Sequence, residues 1–103
     1  MNCDEFIKNS LVENFIKQVI TDIFPKKSAP NWINYELFYN DMLKKASKNL
    51  YSDIRNDTDN WWMDMLFPYI AYCIDESSMD NLYNEYVEYA PMIPEDVINL
   101  IRS

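Results

Sequence analysis

The chemistry open to this chain rests on its carboxylates, because the usual reagents are missing and lysine or tyrosine substitutes would leave no sequence signature. There is no histidine and no glycine among the 103 residues. Without histidine the chain lacks the commonest general base and the commonest transition-metal ligand. Without glycine it cannot build a P-loop, a dinucleotide fingerprint or another glycine-rich phosphate cradle. Serine and cysteine nucleophiles therefore have no imidazole to activate them. Carboxylates alone can hydrolyse glycosides in pairs or hold hard cations in clusters. Asp53, Asp57 and Asp59 come nearest to such a cluster. Counted from Asp53, however, the sixth place is Thr58 and the twelfth is Asp64. A calcium loop of the EF-hand type needs glycine and a bidentate glutamate at those two places, so the group reads as helix-capping. No catalytic, cofactor-binding or metal-binding residue is expected, and the chain reads as non-enzymatic.

The placement of charge is the most informative pattern. Residues 1–56 hold seven acids and eight bases, whereas residues 57–103 hold ten acids and the single base Arg102. The formal net charge is −8. That excludes a protein gripping nucleic acid through phosphate contacts, which need a basic face. Within the acidic half, Asp75, Glu76, Asp80, Glu85 and Glu88 interleave with Tyr83, Tyr86 and Tyr89, and Glu95 and Asp96 come after them. Tyrosine offers a large contact area at low entropic cost and is enriched in interfaces. Concentrated like charge destabilises a fold by self-repulsion, yet it speeds encounter with an oppositely charged partner. Asp75, Glu76, Asp80, Tyr83, Glu85, Tyr86, Glu88 and Tyr89 are accordingly the candidate partner-binding face. The competing reading is a solvated face that only confers solubility, with Tyr83, Tyr86 and Val87 in the core.

These residues must be held by helices. Phe6, Ile7, Leu11, Val12, Phe15, Ile16, Val19, Ile20, Ile23 and Phe24 recur in pairs four apart, which predicts one helix with a single broad apolar stripe. Asp4 and Glu5 suit its first turn, and Pro25 and Pro30 bracket the loop that ends it. A second helix is predicted from Asn34, or just before, to about Asp53. Its apolar positions are Leu37, Phe38, Met42, Leu43, Ala46, Leu50, Tyr51 and Ile54, with Lys44, Lys45 and Lys48 on the exposed face. The polar run Asn56–Asn60 supplies N-cap candidates for the next helix. Residues 61–75 are apolar nearly all round, the pattern of a buried central helix, which Pro68 should kink or split. Ser77 and Ser78 cap a fourth helix over 79–89, and Pro94 opens a last short one carrying Val97, Ile98, Leu100 and Ile101. The expectation is therefore one all-α domain over 1–103, a compact bundle of about five helices.

Other residues have structural readings that compete with functional ones. Trp61 and Trp62 invite a stacking role, but neighbours on a helix point about 100° apart, so one should anchor the core. Trp32, between Pro30 and the second helix, is the better candidate for exposure. Cys3 and Cys73 fit no metal or redox spacing and read as reduced thiols, with Cys73 buried. The N-terminus has neither a basic nor an apolar signal region. The longest apolar stretch, 61–74, contains Asp64 and Pro68 and is shorter than the ~20 residues a bilayer requires. A cytoplasmic protein without membrane attachment is expected.

In size, net charge and the acid–tyrosine interleaving of residues 75–96, the chain resembles the small bacterial immunity proteins that neutralise colicin-type or contact-dependent toxins. That resemblance implies a cytoplasmic helical inhibitor bound to a basic toxin, often a nuclease domain. Nuclease-colicin inhibitors carry an adjacent Tyr-Tyr pair in their binding region, and this sequence has none, so no binding residue transfers from them. The same character fits phage-encoded inhibitors of host defence, including anti-CRISPR proteins that act as acidic mimics of nucleic acid. An adaptor that takes a partner helix in a groove lined by Met42, Met63, Met65, Met79 and Met92 is the reading from a different class. If residues 61–74 form the central helix, Leu66→Ala and Ile70→Ala should each lower stability by roughly 2–5 kcal/mol in urea denaturation. Unchanged midpoints for both would place that segment outside the core.

Overall fold

A computed structural model describes residues 1–23, 26, 34–58, 61 and 91–102. Among them lie four helices and no strand: α1 (Cys3–Lys8), α2 (Ser10–Ile23), α3 (Tyr35–Asn56) and α4 (Glu95–Arg102). The all-α reading is borne out for these residues. The predicted segment 61–75 beyond Trp61, the predicted helix over 79–89 and the kink at Pro68 lie outside the described residues.

The first predicted helix is two helices. Asn9 leaves the helical region at φ −72°, ψ 133°, and its backbone N–H donates to the Phe6 carbonyl at 3.1 Å. Its side-chain Oδ1 accepts from the Leu11 N–H at 2.9 Å, while its carbonyl accepts from the Glu13 N–H at 3.0 Å. Asn9 thus ends α1 and caps α2, supplying partners for backbone groups that a helix terminus leaves open. Periodicity could not reveal this break, because the apolar pairs continue across it. The N-terminal Asn2 repeats the device, its Oδ1 accepting from the Glu5 N–H at 2.9 Å, and Asp4 and Glu5 lie in the first turn as expected.

Helix α3 is the long element of the fold and adheres closely to its prediction. Asn34 is its N-cap, with Oδ1 accepting from the Leu37 N–H at 3.2 Å. Phe38, Met42, Ala46, Leu50 and Ile54 form its buried stripe. Ser47 is buried beside them and keeps its hydroxyl bonded to the Leu43 carbonyl at 2.7 Å, so no polar cost remains. Leu37 is a correction to the predicted stripe: it is 68% exposed, on the opposite side of the helix. Leu11 of α2 is likewise 46% exposed, at the edge of its stripe.

Helix α3 contacts all three of the others, and α2 also touches α1 and α4. Phe6 of α1, Val12, Ile16, Val19 and Ile20 of α2, and Val97 of α4 close over the α3 stripe together with Trp61. The Phe6 ring meets Tyr51 at 5.5 Å between centroids, and Phe15 meets Trp61 at 5.7 Å. Trp61 is fully buried, so one of the two neighbouring tryptophans anchors the core as expected, and it lies in a turn. At the C-terminal end α4 starts at Glu95, with Pro94 just before it; the Pro94 carbonyl accepts from Val97 and Ile98 at 3.0 and 3.2 Å. Val97 is buried and Ile98, Leu100 and Ile101 pack partly against the core, as predicted.

Leu50→Ala should cost about 2–5 kcal/mol, since the site is sealed on every side and relaxes little. Asn9→Ala should cost about 0.5–2 kcal/mol through the lost cap. Leu11→Ala, at an exposed position, should shift the thermal midpoint far less than Leu50→Ala. Equal losses for Leu11→Ala and Leu50→Ala would overturn this burial pattern.

Candidate functional site

The most elaborate polar arrangement among the described residues closes the C-terminal end of α3. A helix terminus leaves its last four carbonyls without intrahelical donors. Asp57, the C-cap, adopts the left-handed conformation at φ 56°, ψ 44°, and its N–H returns to the Asp53 carbonyl. The Thr58 N–H donates to the same carbonyl at 3.0 Å. Glycine normally takes such a position because a Cβ is crowded there, and aspartate is among the few residues that tolerate it. In a chain with no glycine, aspartate is the substitute.

Three further residues, Thr58, Trp61 and Arg102, donate to this end of α3. The Asp53 side chain, only 7% exposed, accepts from the Thr58 hydroxyl on one oxygen and from the Trp61 backbone N–H on the other. Arg102, in the last turn of α4, donates through Nε and Nη2 to the Ile54 carbonyl at 3.0 and 2.8 Å, and through Nη2 to Asp57 at 3.1 Å. A cation at a helix C-terminus is also favoured by the helix dipole. With both oxygens of Asp53 bonded to protein donors, the Asp53–Asp57 pair acts as a helix closure. Within the polar run from Asn56, Asp57 caps the preceding helix. The hollow between Asp53, Asp57, Thr58, Ile93, Ile98 and Arg102 holds about 110 Å³. That is well below the ~300 Å³ at which small-molecule sites begin, so the feature is a packing seam.

A larger cleft of about 350 Å³ is lined by Lys26, Tyr35, Glu36, Tyr39 and Asn40. Its floor is the Tyr35–Tyr39 pair, with ring centroids 5.9 Å apart. Its described lining residues supply one carboxylate, one amine, one carboxamide and two phenol hydroxyls. On the solvent side of α3, Lys44, Lys48 and Arg55 recur at spacings that keep them on one stripe, and all are exposed. Arg55 is held against Tyr51, its guanidinium 5.7 Å from the ring centroid and its Nη1 donating to the hydroxyl at 3.1 Å. Lys45 pairs with Asp41 at 3.0 Å and Lys17 with Glu13 at 2.6 Å. The Glu13 hydrogen bond and charge raise the Lys17 amine above its ordinary pKa.

All eight candidate partner-binding residues (Asp75, Glu76, Asp80, Tyr83, Glu85, Tyr86, Glu88 and Tyr89) lie outside the described residues, as do Trp32, Trp62 and Cys73. Cys3 is a free, half-buried thiol. Of the methionines named for an adaptor groove, Met42 is fully buried in the core, Met92 is 90% exposed, and Met63, Met65 and Met79 are outside the described residues. Among the described residues, no helix is long and apolar enough to cross a membrane. Comparison with family models, curated proteins and solved structures finds no match for the chain.

Two closures make separable predictions. Asp53→Ala strands the Trp61 N–H and the Thr58 hydroxyl, so it should cost about 1–3 kcal/mol and alter the tryptophan near-UV signal. Asp57→Ala and Asp57→Gly both lose the Arg102 pair, but alanine keeps the Cβ crowding, so Asp57→Ala should be less stable than Asp57→Gly in thermal denaturation. Equal midpoints for those two Asp57 variants would show that backbone strain at this turn is negligible.

Proposed function

We propose that this chain is a non-enzymatic, cytoplasmic inhibitor that neutralises a basic protein, a toxin nuclease above all, through its acidic, tyrosine-containing C-terminal half. The observation that carries the reading is the uncompensated charge of that half: ten acids against one base over residues 57–103. The base in question is Arg102, and its guanidinium is already committed to Asp57 and the Ile54 carbonyl. Of the later acids, Glu95 and Asp96 are exposed in the first turn of α4. A field of one sign, its single base already engaged, attracts a basic partner from a distance.

The contact face in this reading is Asp75, Glu76, Asp80, Tyr83, Glu85, Tyr86, Glu88 and Tyr89. A nuclease site lined with lysine and arginine for phosphate would be satisfied by carboxylates and closed to its substrate. The tyrosines would supply desolvated anchors that slow dissociation, and acids at the rim would mainly raise the association rate. A phage-type inhibitor that occupies a nucleic-acid channel would use the same physics, so the two readings differ in target rather than mechanism. Buried Met42 draws support away from an adaptor groove, because one of its proposed lining residues fills the core.

Affinity capture from the native cell, and the reading frame beside this one, would supply the basic partner. Against that partner, the triple variant Asp80→Lys, Glu85→Lys, Glu88→Lys should associate at least tenfold more slowly at low salt, with a flatter salt dependence and an unchanged helical circular dichroism spectrum. Association as fast as the parent's would overturn the acidic-face mechanism, as would capture of an acidic partner.

A further inference from the structure

We draw no further inference here: the strongest candidate, the cationic stripe of Lys44, Lys48 and Arg55 on the exposed face of α3, carries none because nothing in the structure shows what covers it, and a chain of net charge −8 repels the anionic partner such a stripe would fit.

Discussion

A helix of 22 residues that carries five buried apolar side chains at intervals of four cannot persist alone in water, and α3 is such a helix. Covering the stripe Phe38, Met42, Ala46, Leu50 and Ile54 is the constraint on which the rest of the described structure depends. Among the described residues no single neighbouring helix is long enough to do it. Helix α1 covers it with Phe6 and α2 with Val12, Ile16, Val19 and Ile20, while Val97 and Trp61 arrive from later in the chain. Full burial of side chains of this size contributes about 1.5–3 kcal/mol each, most of which offsets the entropy of ordering the chain. On either side of the break at Asn9, α1 and α2 both pack against α3.

The second determinant is polar and sits where the hydrophobic one ends. At the C-terminus of α3 the chain must reverse so that Trp61 can reach the core, and it does so without glycine. Asp57 takes the left-handed position, Asp53 holds the returning chain by two hydrogen bonds, and Arg102 binds the open carbonyl of Ile54. One aspartate thus locks a local turn, while one arginine ties α4 to a helix end some forty-eight positions earlier. Arg102 is at once a structural clamp and the sole base of the acidic half, and its engagement leaves that half without a mobile cation. Fold and proposed function meet at this residue.

The electrostatic design is uneven along the chain. In the N-terminal half, seven acids nearly balance eight bases, and two exposed pairs, Glu13 with Lys17 and Asp41 with Lys45, form at helical spacing. Exposed pairs of this kind are worth little to stability, and their effect is to keep that surface close to neutral. The C-terminal half has no such compensation in its sequence. Self-repulsion among its carboxylates is a standing cost for a small domain, and a basic partner would relieve it.

The local properties were determined by the sequence itself. Helix type, the start of α3 at Asn34, the acidic first turns and the buried spacing of Phe38 to Ile54 all come from periodicity and capping chemistry, which act over four residues or fewer. The partition of charge was equally legible, because it is a matter of counting. Tertiary structure alone decided the rest. Whether Leu11, at the edge of its stripe, is covered depends on its neighbours, whereas Leu37 lies opposite the Phe38–Ile54 stripe and is turned outward by helix geometry itself. The Asn9 break was decided by the packing of α1 and α2 on α3, because the local apolar pattern continues across it. The roles of Asp53 and Arg102 depend on partners eight and forty-eight positions away, and no local pattern encodes a partner at that distance. Sequence spacing suggested a cap or a cation loop at Asp53–Asp59, and only the fold shows that both oxygens of Asp53 serve the chain itself.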